Sequence, residues 1–198
     1  MNNTTHPMKK HLALFIACLV FAGNLFAQQH LSFKGVPING TLQEYTNAMV
    51  KAGFDCEESQ GGVSILSGDF AGYKGCSVRV STLKNCDVVS FITVTFRGSM
   101  VWSSVLNDYN TLKAMLTEKY GKPSDTKENL PAVANPDYDN HIVMRELGEG
   151  KYSWCSIFSS ELGDIVLSIV NHDGMSVRLS YYDKANSEKV RNAAMDDL

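Results

Sequence analysis

Two periods of hydrophobicity run along this chain, and the place where one gives way to the other is the clearest landmark in it. From Val88 to Phe96 apolar and polar positions alternate, with Ile92, Val94 and Phe96 on one face and Phe91, Thr93 and Thr95 on the other. β-Branched and aromatic residues dominate, so the stretch predicts a strand. After Arg97-Gly98-Ser99 the spacing lengthens to three and four: Trp102, Val105, Tyr109, Leu112, Leu116 and Tyr120 line one side of a long helix, and Lys113, Thr117 and Lys119 fall largely on the other. Gly121 closes that helix and Pro123 blocks its continuation. Core packing is the plain reading of the aromatic stripe; a ligand cleft using Trp102 and Tyr109 is the sharper one.

The same two periods divide the rest of the chain. His30 to Val36 predicts a short first strand ahead of Pro37. Thr41 to Ala52 predicts a helix opened by a capping box, Thr41 with Glu44, closed by Gly53, and burying Leu42, Tyr45, Met49 and Ala52. Strands follow at Val63 to Phe70 and Cys76 to Ser81, the second with Cys76, Val78 and Val80 inward and Ser77, Arg79 and Ser81 outward. Lys122 to Asn140 holds three prolines and predicts a surface loop. Four strands are then expected as one antiparallel meander: Ile142 to Leu147, Tyr152 to Ser159, Asp164 to Val170 and Ser176 to Tyr182, linked by glycine- and asparagine-rich turns. The polar stretch from Asp183 to Leu198 predicts at most a frayed helix from Ser187, contributing little.

These elements add up to an α+β protein in which a helix packs on an antiparallel β-meander, twice. The expected organisation is a signal peptide at 1–27, a first α+β unit at 28–98, a second at 99–183 made of the long helix and a four-stranded meander, and a polar C-terminal tail at 184–198. An internal echo supports duplication: Tyr73-x-x-Cys76-Ser77-Val78 recurs as Tyr152-x-x-Cys155-Ser156-Ile157. This layout resembles the β-lactamase inhibitor-like fold, and Phe33-Lys34-Gly35-Val36-Pro37 with Lys119-Tyr120-Gly121-Lys122-Pro123 resembles stretches of uncharacterised secreted bacterial proteins. The resemblance lies in layout rather than motif. It implies the fold and a tendency to bind other proteins through an exposed sheet face, and it transfers no functional residue.

The start of the chain sets the compartment. Met1 to His11 is polar and ends near Lys9-Lys10, and Leu12 to Phe26 is almost unbroken apolar sequence, too short for a membrane span and flanked as a signal peptide is. Cleavage is expected after Ala27, with Ala22 as second choice, giving a periplasmic or secreted protein. Phe15-Ile16-Ala17-Cys18 departs from a lipobox, because Phe15 stands where leucine is usual and an apolar run follows Cys18. Removing 1–27 takes away Lys9 and Lys10 and no acid, leaving 16 basic against 21 acidic residues, a formal charge of −5. That balance argues against nucleic-acid binding, which needs a basic stripe.

Export makes disulfides an expectation. Cys56, Cys76, Cys86 and Cys155 survive cleavage, and no Cys-x-x-Cys occurs. If the strands from Val63 to Phe96 form a meander, Cys86 lies at the same end as Cys56, and Cys76 starts its strand at the other. A Cys56–Cys86 bridge is expected, with Cys76 and Cys155 buried and either free or joined to each other. The alternative is that all four are small buried apolar residues.

Chemistry-bearing motifs are scarce. Asp137-x-Asp139-x-His141 has oxygen-ligand spacing, but Ile142 stands where a calcium loop needs glycine. Cys155 with His141 or His172 could be drawn as nucleophile and base, though nothing orients the histidine. Gly-x-Ser-x-Gly, His-Glu-x-x-His, phosphate-loop and dinucleotide fingerprints do not occur. The sequence therefore predicts a non-enzymatic binding protein without cofactor or metal, engaging a protein or peptide partner through a sheet face. Its candidate anchors are Tyr152, Trp154 and Phe158, an aromatic strip on one strand face, the plainer alternative being that this face packs on the Trp102 to Tyr120 helix. The second expectation is a small-molecule or lipid carrier whose cavity between sheet and long helix is lined by Phe91, Tyr109 and Trp102. A hydrolase built from scattered acids and histidines is the third.

Overall fold

The computed structural model describes residues 29–83, 86–129, 140–172 and 174–196. The expected signal segment with its cleavage point, Cys18, Asp137 and Asp139 lie outside the described residues. Four helices and an eight-stranded antiparallel sheet form an α+β architecture, with a two-stranded pair beside it.

That pair, β1 (Ser32–Phe33) and β2 (Val36–Pro37), replaces the single first strand expected there. The chain doubles back at Lys34 and Gly35, both in the left-handed region (φ 53° and 78°), and the turn lets Phe33 lie among Phe54, Phe70 and Tyr181. Helix α1 (Leu42–Lys51) has the expected capping box: Glu44 N donates to Thr41 Oγ1, and Thr41 N donates to Glu44 Oε2. Four strands follow as a meander, β3 (Asp55–Gln60), β4 (Val63–Phe70), β5 (Tyr73–Leu83) and β6 (Cys86–Thr95).

Strand β3 was not legible as a strand. Every residue in it is exposed, and its acids carry no alternation; only pairing with β4 makes it one, with a bulge between Cys56 and Glu58.

Helix α2 (Trp102–Tyr120) runs as its periodicity predicts, burying Trp102, Val105, Tyr109, Leu112 and Leu116. Its N-cap residue, Val101, has no capping side chain; Trp102 N instead donates to Asn140 Oδ1. Next come β7 (Asp125–Glu128), α3 (Asn140–Gly148), β8 (Trp154–Ser160), β9 (Gly163–Asn171), β10 (Met175–Asp183) and α4 (Lys184–Asp196).

Three expectations fail in this half. Ile142 to Leu147 is helical, part of α3. Ile142-Val143 suggests a strand, but Val143 and Leu147, spaced by four, face the core, and Arg145-Glu146 between them favour a helix. The fourth strand of the meander is β7, from the segment expected to be loop, hydrogen-bonded to β8 along the sheet edge. The C-terminal segment is α4 and is anchored at its start. Asn186 is fully buried, with Nδ2 donating to Ile38 O, Asn39 Oδ1 and Val89 O. Asp183, also fully buried, accepts from Asn186 N, from Leu31 N and lies 3.0 Å from His30 Nδ1, so it caps α4 and holds the N-terminal strand pair at once.

The strand order is β3-β4-β5-β6-β10-β9-β8-β7. Each half contributes four strands, and their last strands, β6 and β10, meet in the middle, Val94 opposite Leu179 and Ile92 opposite Tyr181. Helix α1 packs over β3 to β6 and α2 over β8 to β10. Both lie on one face, where Val78, Val80, Ile92, Val94, Leu167 and Leu179 form a continuous core.

The cysteine expectation is corrected here. All four described cysteines are free. Through β4 and β5, Cys56 stands level with Val94 of β6, whereas Cys86 begins β6, about 25 Å further along at strand rise. Turn and bulge shift the register, so the two are not at one end of the sheet, and a disulfide needs Cα atoms within about 7 Å. Cys76 lies on the helix side of β5 and Cys155 on the other side of β8, which precludes their pairing too. The Cys76 and Cys155 echo also falls at unlike positions, in the third strand of one half and the second of the other.

Candidate functional site

The aromatic strip expected to be an anchor is core. Strand β8 pairs Trp154 with Ile169 and Phe158 with Ile165, which fixes both toward α2. Phe158 is 3% exposed, Trp102 2% and Tyr109 0%. Trp154 meets Trp102 edge-on at 5.1 Å and Tyr109 at 6.5 Å between ring centroids. Tyr152 is half-buried in the turn before β8. The carrier lining is divided as well: Trp102 and Tyr109 are on the helix side, and Phe91 points from β6 to the opposite face.

Beneath α2 lies a closed polar network. The Tyr109 hydroxyl donates to Glu128 Oε1 over 2.7 Å and lies 2.8 Å from Ser156 Oγ; Ser156 Oγ is 3.0 Å from the same carboxylate oxygen, and Lys113 Nζ donates to it. Burial works to raise the Glu128 carboxyl, but the donors from Lys113, Tyr109 and Ser156 outweigh it and hold it below its ordinary value. Burial pushes the Tyr109 phenol upward. Ser156 and Tyr109 are both fully buried and Lys113 and Glu128 are partly exposed, so this constellation ties β7 and β8 to α2. On the other flank of α2, the Tyr73 hydroxyl donates to Asp108 Oδ1, and burial pushes that phenol up to about 12.

The other face of the sheet carries none of the four helices across its centre and has a different composition. Alternation puts Ser77, Arg79 and Ser81 of β5 on it, then Phe91, Thr93 and Thr95 of β6, and Arg178, Ser180 and Tyr182 of β10. The register sets Ser77, Thr95 and Arg178 in one row, Arg79, Thr93 and Ser180 in the next, and Ser81, Phe91 and Tyr182 in a third. Phe91 and Tyr182 stack, centroids 4.6 Å apart at 29°, and Tyr182 remains 43% exposed. Arg97 lies just past the end of β6, after Phe96, whose N donates to Val177 O. Arg79 and Arg97 are exposed, and Nε of Arg178 is buried with no hydrogen-bond partner among the described residues.

At the start of β8 a cleft of about 360 Å³ is lined from both sides of the sheet, by Leu147, Tyr152, Trp154, Cys155, Ser168 and Ile169. Burial raises the Cys155 thiol despite nearby Lys127, so it is a weak nucleophile. His172 contributes only a backbone hydrogen bond, to Gly174 O, and its ring is oriented by nothing among the described residues. His141 is exposed on α3, and no group of His, Cys, Asp or Glu suited to a metal occurs among the described residues.

The open-face residues were partly legible. The alternation that marks Ile92, Val94, Leu179 and Tyr181 as inward marks Phe91, Thr93, Arg178 and Tyr182 as outward. What it does not carry is the junction of β6 with β10, which brings these residues together from the two halves. No protein-family model, curated protein or solved structure matches this chain.

Proposed function

We propose that the protein is an exported, non-enzymatic binding module that engages a protein partner through the open face of its eight-stranded sheet. The observation that carries this reading is the asymmetry of the sheet. Helices α1 and α2 cover one face, and the other presents a stacked aromatic pair with arginines nearby, aromatic residues and arginine being the types that anchor interfaces. This is the face opposite to the one expected from Tyr152, Trp154 and Phe158, and its anchors are Phe91 and Tyr182. A duplicated helix-plus-four-strand unit and a resemblance to the β-lactamase inhibitor-like fold are parts of the same proposal; the join of the halves through their last strands favours them.

The test is site-specific photocrosslinking in the native cell envelope, with the photoreactive residue at Tyr182 or, as control, at Met115, which is 48% exposed on α2. One discrete adduct from position 182 and none from 115 is expected. Equal labelling from both, or none from 182, rejects the reading.

The carrier alternative has one observation in its favour, an apolar cavity between α2 and the sheet bounded by Phe70, Leu112, Met115, Leu116, Leu179 and Tyr181. Its volume, about 130 Å³, suits a ligand of benzene size and excludes a lipid chain. Native mass spectrometry of the protein from its own compartment, showing a retained small ligand, would favour this second reading.

A further inference from the structure

Two of the chain's five arginines, Arg79 and Arg178, sit on the open face of β5 and β10, and a third, Arg97, lies two residues past the end of β6, the strand between them. Arg178 is level with Thr95 and Arg79 with Thr93. At usual strand spacings their Cα atoms are about 12 Å apart, and Arg97, just past the end of β6, completes a triangle. Among the described residues, no carboxylate makes an ion pair with any of the three. Elsewhere Lys74, Lys113 and Arg145 each have one and Lys151 has two. Like charges this close repel across a sheet, and a purely structural cluster would be interleaved with acids. Here the residues between them are the hydroxyls Thr93, Thr95 and Ser180, and one guanidinium nitrogen is buried unsatisfied.

We propose that this arginine triangle is the receptor for carboxylates on an acidic segment of the protein partner, with Phe91 and Tyr182 taking an adjacent apolar side chain. The proposal rests on the reading of the open face as a protein-binding surface. Guanidinium matches carboxylate geometry with paired hydrogen bonds, and the threonine hydroxyls supply further donors. A polyanion such as nucleic acid is the poorer occupant. Three cations are too few to track a phosphate backbone, and Asp164, level with Tyr182, would repel one.

The probe is a capped peptide of alternating glutamate and leucine, with a glutamine-for-glutamate peptide as control, titrated into isotopically labelled protein and followed by NMR. Shifts at the Arg79, Arg97 and Arg178 Nε–H signals and in β5, β6 and β10 are expected with the acidic peptide alone, weakening as salt rises from about 0.05 to about 0.5 M. Arg79→Gln and Arg97→Gln, exposed positions that leave folding intact, each weaken binding about tenfold, and Arg178→Lys restores less than the wild type. Equal binding of the glutamine peptide, no shifts on this face, or tighter binding of a single-stranded oligonucleotide or heparin fragment overturns the proposal. The photocrosslink from position 182, repeated in the triple Arg→Gln variant, separates the two failures. If the adduct persists there, the face is an interface without a carboxylate receptor; if the wild type yields none, the face is not an interface.

Discussion

The two faces of one sheet are built from alternate residues of the same strands, and they obey different rules. On the helix side Val78, Val80, Ile92, Val94, Leu167 and Leu179 are essentially without solvent exposure, and what matters about each is its volume. One residue away on the open side stand Arg79, Phe91, Thr95, Arg178 and Tyr182, where neighbouring chain imposes little and hydrogen-bonding capacity and charge distinguish one side chain from another. The contrast teaches that a strand can be read twice. Its inward half records how the protein folds, and its outward half records what it is for.

The comparison can be broken at several depths. Leu167→Ala, on the helix side, is expected to lower the free energy of unfolding by about 3 kcal/mol in urea titrations, because α2 cannot collapse onto the space left. Thr95→Ala, on the same sheet facing out, should change it by less than about 0.5 kcal/mol. Equal effects would erase the distinction between faces.

A polar position can match the core in effect. Asp183→Ala strands the donors of Leu31 and Asn186 in a dry site and should cost about 2–3 kcal/mol, read as a lowered denaturation midpoint. An effect below about 1 kcal/mol would mean that α4 does not hold the N-terminal strand pair.

Glu128 gives a smaller, pH-dependent effect. Its carboxyl is held below the ordinary value of 4.5, so the stability it contributes is fully present above that pH and is lost as pH falls through the lower folded value. Glu128→Gln should therefore destabilise at neutral pH by about 1–2 kcal/mol and flatten the decline of melting temperature below pH 4.5. A variant whose acid branch parallels the wild type would show that the network is not closed.

A small effect on stability is also expected at the stacked pair. Tyr182→Ser should shift unfolding by no more than about 1 kcal/mol, the worth of an exposed cross-strand aromatic contact.

Much of the helix side was legible before any coordinates. The Val63 to Phe70 strand, the Thr41–Glu44 box and the Trp102 to Tyr120 stripe are local signals, and each appears where it was expected. The failures share a cause. Strands β3 and β7 have no apolar pattern because they lie at the two margins, where pairing rather than burial makes a strand. The Cys56–Cys86 expectation needed a register that the β4, β5 and β6 bulges shift. The strip of Tyr152, Trp154 and Phe158 allows two readings, an exposed anchor or a face packed on the long helix, because alternation says that residues share a face and is silent on which face meets a helix; Trp154 and Phe158 take the second. Asn186, in a stretch that looks like solvent-exposed tail, shows that one buried amide can dock a helix that has little apolar surface of its own.

The margins themselves have a consequence. Both outermost strands are poor templates for another chain. β3 offers Asp55, Glu57 and Glu58 along a fully exposed, bulged edge, and β7 is four residues long and includes Asp125, Lys127 and Glu128. Strand addition at either margin would bring charges together and interrupt the ladder, as natural sheets do to avoid polymerising. Runaway edge-to-edge growth is thereby discouraged, and so is recognition through main-chain ladders. A partner is left to read side chains, which vary with sequence, instead of backbone, which does not.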